Sequence, residues 1–191
     1  YHMGAAECGL GTLMCGGKVI VVDGFDQEQI CKIVETEDLG WLLLMPGMVG
    51  GLAAELKAKQ VKPKSVKVCG VMADLVPPQE IAEITELLNA PYANTFGATD
   101  TGCPPCSSNL LPIGITPRSL SKEQSPFCEI KLIDEEGREV EDGLPGELCM
   151  RGPTLFSGYW QETEVNAQEF QGGWFHMGDV FSRNSDGSLN F

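Results

Sequence analysis

Three short segments of the 191-residue chain carry side chains suited to handling a nucleotide. The first is Asn94-Thr95-Phe96-Gly97-Ala98-Thr99-Asp100-Thr101-Gly102, which follows a run that reads as a buried strand. Its polar groups are therefore expected at a strand's carboxyl end, where open α/β sheets bind ligands. Phe96 offers a stacking face, Gly97 lets the backbone approach closely, Thr99 can donate to a phosphate and Asp100 can hold Mg²⁺. A plain strand-to-loop turn would use the same residue types. The second segment, Gly146-Glu147-Leu148-Cys149-Met150-Arg151-Gly152-Pro153 with Gly158-Tyr159-Trp160 after it, alternates apolar residues into a Gly-Pro turn and reads as a barrel strand. The third, Gly173-Trp174-Phe175-His176-Met177-Gly178-Asp179, ends an aromatic-rich strand with a carboxylate behind a glycine. Asp179 so placed can accept both hydroxyls of a ribose, as acidic residues do in other nucleotide folds, or can be a solvated turn residue.

The elements that must position these groups divide the chain in two. Up to residue 101, short apolar runs alternate with amphipathic stretches, the pattern of parallel β-α units. Strands are expected at residues 18–22, 41–45, 66–71 and 92–96. Asp26 can cap the first long helix, with Gln29 completing a capping box and Ile30, Ile33 and Val34 forming its apolar stripe. A second helix runs through Leu52 and Leu56 and stops before Pro63. Pro77 and Pro78 open a third, with Ile81, Ile84, Leu87 and Leu88 inward and Glu80, Glu83 and Glu86 in water. Prolines and serines then crowd residues 104–126. Beyond them Cys128, Ile130 and Leu132 alternate with Glu129 and Lys131, and a turn near Gly137 reverses the strand. The expected organisation is an α/β fold: a mostly parallel sheet flanked by helices over residues 1–102, a linker over 103–126, and a small β-barrel subdomain over 127–191.

Composition narrows the function. Thirteen basic residues against 27 acidic ones leave a net charge of −14, the wrong sign for a general nucleic-acid surface. No apolar run approaches the roughly 20 residues that cross a bilayer. The cysteines sit in apolar patterns such as Val68-Cys69-Gly70 and read as small buried hydrophobes, which with the absence of a secretory segment points to a reducing cytoplasm. A different class of function, a zinc or redox module, would use Cys103-Pro104-Pro105-Cys106. Structural zinc wants a second ligand pair, however, and none recurs at the right spacing.

Taken together, the three segments resemble the ordered signature of the adenylate-forming superfamily, which includes acyl-CoA synthetases, luciferases and peptide-synthetase adenylation domains. The family pattern Tyr-Gly-x-Thr-Glu is met by Phe96-Gly97-Ala98-Thr99-Asp100, Gly-Glu-Leu-x-x-Arg-Gly by residues 146–152, and Gly-Asp by Gly178-Asp179. Tyr1-His2 resembles the aromatic-His pair beside the acyl pocket, and residues 16–46 and 155–160 look most like acyl-CoA synthetases. The resemblance implies an ATP-dependent, AMP-forming acid:CoA ligase, with ATP, coenzyme A and a carboxylic acid as substrates. Phe96 would stack on adenine beside Asn94 and Gly97, Thr99 would contact the α-phosphate, Asp100 would bind Mg²⁺ and Asp179 would hold the ribose. Ala73 and Asp74 would stand in the adenine-side loop, with His2 and Gly102 at the acid pocket. Phe96 replaces the usual Tyr and Asp100 the usual Glu, one methylene shorter. The family's phosphate loop and its catalytic Lys fall outside residues 1–191, so no measurable turnover is expected of this stretch alone. A binding domain that kept the fold without the chemistry is the alternative. A homodimer and the identity of the acid are left open.

Overall fold

The computed structural model describes residues 2, 4–107 and 109–191, with the side chains of Ala5 and Cys103 outside the description. The chain forms two compact units, one of Tyr1–Thr95 with Asn109–Leu120 and one of Phe96–Ser108 with Ser121–Phe191. The units part after Thr95, ahead of the linker expected from composition, and part of that linker returns to the first unit.

In the first unit a π-helix, Gly4–Leu10, runs into a single turn, α1 (Gly11–Met14). Helix α2 (Gln27–Thr36) starts where Asp26 allows: its carboxylate accepts the Gln29 N–H at 3.0 Å, satisfying one of the helix's orphan donors. The expected stripe is buried through Ile30 and Val34, joined by Cys31. Strand β1 (Asp38–Leu39) pairs in parallel with β2 (Ser65–Val66), and α3 (Pro46–Lys59) connects them. Pro46 stands at the first helical position, where its missing N–H costs nothing, and Gln60 in the left-handed region ends the helix. Helix α4 (Pro78–Leu88) buries Ile81, Ile84 and Leu88 as the spacing predicts. It leads into β3 (Tyr92–Ala93), which pairs antiparallel with β6 (Leu110–Leu111). Leu44, Val49, Leu52, Leu56, Ile81, Ile84 and Tyr92 lie in one apolar cluster.

A mostly parallel sheet is not shown, because the strands of the first unit are only two residues long. Among the described residues parallel pairing joins β1 to β2 and continues through single bridges, Leu42 to Cys69 and Cys69 to Tyr92, with the Ala93 and Thr95 N–H groups donating to the Cys69 and Val71 carbonyls. Left-handed Gly70 interrupts the extended backbone after Cys69, and Pro63 and Pro91 cannot donate to a ladder. Residues 18–22 form no strand, and Val21 is 83% exposed. Strand propensity reflects fit against neighbours, and no strand among the described residues pairs with this run.

The second unit opens with β4 (Phe96–Ala98) and β5 (Gly102–Cys106), an antiparallel pair. Its main sheet comprises β7 (Glu129–Ile133), β8 (Pro145–Arg151), β9 (Phe170–Gln171), β10 (Trp174–Arg183) and β11 (Leu189–Asn190), with α5 (Thr163–Glu169) before β9. The order is β11-β10-β8-β7, with β9 also on β10, and every pair is antiparallel. The path has two ends, so among the described residues the expected barrel is a half-barrel sheet. Alternation puts Ile130, Leu132, Leu148, Met150 and Phe181 into one buried cluster with Phe96 and Leu189. On the other face Arg151 and Lys131 lie over the Trp174 ring, at 4.5 and 4.8 Å from its centroid.

Candidate functional site

The segment of residues 94–102 follows Tyr92, which is bridged in parallel to Cys69, and forms the tip of a β-hairpin. Phe96 faces Cys106 and Ala98 faces Gly102 across β4 and β5, so Thr99, Asp100 and Thr101 make a three-residue connection. Such loops need a left-handed residue at their end, and Gly102 has φ +68°. The Thr101 hydroxyl closes the loop by accepting the Ala98 N–H at 3.1 Å. Thr99 is exposed at the tip, while Asp100 and Gly97 are half-buried. Asp100 accepts a hydrogen bond from the Tyr159 hydroxyl, and burial, then the charge of Asp100, pushes the Tyr159 phenol above its ordinary range. Phe96 is placed differently from a free stacking platform. Its side chain is 7% exposed, with ring centroids of Phe181 and Phe191 at 4.7 and 5.4 Å.

Asp179 lies on an irregularity of β10. His176 pairs with Cys149 and Val180 with Glu147, leaving Met177, Gly178 and Asp179 opposite Leu148 alone. This bulge turns on Gly178, whose φ of +74° is costly for any residue with a Cβ. The neighbouring strand grips it: Glu147 Oε1 accepts the Gly178 N–H at 3.1 Å, and Glu147 Oε2 lies 3.1 Å from His176 Nδ1. Asp179 is half-buried, and loss of hydration raises its pKa above the ordinary carboxylate value. Glu147, His176 and buried Cys149 bring their donor atoms within 4.8 Å of one another, the one such trio of metal-binding side chains among the described residues. The Glu147 carboxylate is already engaged by the Gly178 N–H and the His176 imidazole, so these two side chains hold the bulge.

The remaining expected residues belong to the first unit. Ala73 is fully buried and Asp74 half-buried in the turn before α4. That turn is held from below, because the Tyr92 hydroxyl donates to the Met72 carbonyl at 3.0 Å. Asn94 is fully buried, and its side-chain amide donates to the Leu120 carbonyl at 3.1 Å, tying residues 109–120 to this unit. His2 is exposed, with its carbonyl accepting the Ala6 N–H, while Tyr1 lies outside the described residues. Of the Cys103 and Cys106 pair, Cys106 is fully buried and the Cys103 side chain is not described.

Thus Phe96, Gly97, Thr99, Asp100, Gly102 and Asp179 share the second unit, and His2, Ala73, Asp74 and Asn94 the first. Tyr159, Glu147 and His176 are the additions that sequence reasoning passed over as barrel-building residues. The sequence shows Glu147 only as a charged residue at an alternating strand position between Gly146 and Leu148.

Residues 1–160 match the model of the AMP-binding enzyme family, and the chain belongs to that family. Among curated relatives it is 28% identical over 188 residues to the medium/long-chain-fatty-acid–CoA ligase FadD8 of Mycobacterium tuberculosis, covering 97% of this chain and 32% of that protein. It is 24% identical to the indoleacetate–CoA ligase of Aromatoleum aromaticum, covering 93% of this chain and 34% of that one. The chain therefore spans about a third of the length of these relatives. Among solved structures, the N-terminal domain of FACL13 from M. tuberculosis superposes with a TM-score of 0.80 at 19% identity, over 98% of this chain and 47% of that one. The O-succinylbenzoate coenzyme A synthetase of Bacillus subtilis, solved with ATP and magnesium, superposes at 0.76 and 20% identity, over 98% of this chain and 38% of that one. The fold is thus that of adenylate-forming enzymes, and no helix among the described residues is long and apolar enough to cross a membrane.

Proposed function

We propose that this chain is the nucleotide-binding portion of an ATP-dependent, AMP-forming acid:CoA ligase. In that reaction a carboxylate attacks the α-phosphorus of ATP, pyrophosphate leaves, and the thiolate of coenzyme A then takes the acyl group from acyl-AMP. The work of the protein is positioning and charge neutralisation. The observation that carries the reading is the placement of two carboxylates in one unit on deliberate backbone irregularities, Asp100 on a hairpin tip and Asp179 on a glycine bulge.

Asp179, half-buried on the bulge and with its pKa raised by loss of hydration, holds the ribose hydroxyls. Thr99, exposed beside it in sequence to Asp100, donates to the α-phosphate. Asp100 fits Mg²⁺: it is a hard oxygen donor, half-exposed, and would hold the ion beside the phosphates. Magnesium there supplies positive charge that a chain of net charge −14 otherwise lacks. Phe96 backs the adenine from the core of the second unit, with Gly97 allowing close approach. The relatives act on fatty and indole-bearing acids by their names, which supports a carboxylic acid with an apolar body as substrate.

Calorimetric titration of the chain with AMP, with and without Mg²⁺, tests the reading. Binding that weakens in Asp179→Ala, together with Mg²⁺ dependence that disappears in Asp100→Ala, is the expected result. AMP affinity indifferent to both substitutions would show a domain that kept the fold without this site.

A further inference from the structure

Glu147 stands one strand away from Asp179, and its two oxygens have separate tasks. One accepts the N–H of Gly178, the residue immediately before Asp179; the other meets the His176 imidazole. Both contacts fall on the stretch where β10 departs from its register with β8. An unbraced bulge with a left-handed glycine is a place where backbone disorder costs little, and Gly178 itself is exposed. The Glu147 side chain is 33% exposed and that of His176 17%, so the brace is partly shielded from competing water.

We propose that Glu147, oriented by His176, is a positioning residue that fixes the Gly178 bulge and thereby aims the Asp179 carboxylate at the ribose hydroxyls. The inference rests on the ribose role of Asp179. The glutamate contributes through geometry and touches no ligand itself. Bidentate recognition of two vicinal hydroxyls tolerates little angular error, so releasing the bulge weakens nucleotide binding although Asp179 is still present. Glutamine at 147 can still accept from Gly178 and keeps most of the brace, whereas alanine leaves the amide to water.

Two measurements on the 191-residue chain decide it. In amide-resolved NMR spectra, Glu147→Ala should move the Gly178 N–H upfield and speed its hydrogen exchange, while Glu147→Gln leaves it near its wild-type position. In titrations, AMP should bind about tenfold more weakly to Glu147→Ala, the loss expected from roughly one unsatisfied hydrogen bond at the site. Glu147→Gln should stay within roughly threefold of wild type, and Glu147→Ala combined with Asp179→Ala should bind no more weakly than Asp179→Ala alone. His176→Ala should act in the same direction with smaller effect, and serves as the deciding variant if Glu147→Ala does not fold. An unmoved Gly178 amide, unchanged AMP affinity, or additive losses in the double variant would overturn the proposal. So would stoichiometric zinc that purifies with the chain and is lost on Glu147→Ala, since the trio would then be a metal site. The parent reading fails separately: if wild type binds 2′,3′-dideoxy-AMP as well as AMP and Asp179→Ala changes nothing, no ribose contact exists to be aimed, whatever the Gly178 amide does.

Discussion

Replacing Gly70 with alanine should be among the most damaging single-methyl changes in this protein. Gly70 has φ +72°, where an L-residue is disfavoured by about 1–2 kcal/mol. A Cβ built there would lie 2.2 Å from Tyr92 Cζ and 2.3 and 2.5 Å from its two Cε atoms, far inside contact distance. The ring cannot swing away freely, because Tyr92 is fully buried and its hydroxyl is bonded to the Met72 carbonyl. Overpacking of this kind adds about 1–3 kcal/mol. The total of about 2–5 kcal/mol is a large part of the roughly 5–15 kcal/mol that holds a domain folded. Urea denaturation of wild type, Gly70→Ala, Tyr92→Leu and the double variant separates the two contributions. Leucine lacks the ε and ζ atoms, so in the Tyr92→Leu background Gly70→Ala should cost only the backbone share of about 1–2 kcal/mol. An equal cost in both backgrounds would refute the steric argument, and a cost near zero in wild type would refute both. A functional consequence follows, since Tyr92 also anchors the turn that carries Ala73 and Asp74.

Three further outcomes are expected. Asp179→Asn should raise the melting temperature at pH 7 while weakening AMP binding: the folded carboxyl holds its proton more tightly than the unfolded one, so its favourable contribution is present below the unfolded pKa and is lost as pH rises through the folded value. The stability gain should therefore shrink in melts carried out at low pH. Iodoacetamide at pH 8, read by mass spectrometry, should label exposed Cys15 first and spare Cys69, Cys128 and Cys149, whose thiols burial pushes up to about 12, 11 and 11. Asp26→Ala should lower unfolding free energy by about 1 kcal/mol in urea, through loss of the cap on the Gln29 amide.

The helices were legible because each carries its own instructions. Asp26 before an apolar stripe, Pro78 at a first turn, and the spacing of Ile81, Ile84 and Leu88 are local signals, and the structure follows them. The alternation of Ile130 and Leu132 with Glu129 and Lys131 was equally local. Strand pairing was not. Whether Phe96-Gly97-Ala98 ends a parallel strand or begins an antiparallel hairpin depends on the partner it finds, Gly102–Cys106, and no residue in the motif states that choice. The exposed run at residues 18–22 makes the same point from the other side, because β-branched residues favour a strand only where a neighbour exists.

The sequence by itself determined the chemistry on offer: a carboxylate after a glycine at 178–179, a hydroxyl and a carboxylate at 99–100, and the order of motifs that marks the AMP-binding family. Residue type and spacing along the chain suffice for that, since they are covalent facts. The tertiary structure decided which of those groups are supported and by what. Only the register shift between β8 and β10 brings Glu147 to the Gly178 amide, 31 positions away, only the fold of the second unit brings Tyr159 to Asp100, and only core packing surrounds Phe96 with Phe181 and Phe191. Contacts between residues far apart in the chain arise from pairing and packing of whole elements, and a hydrogen bond 3.1 Å long leaves no trace in a local pattern.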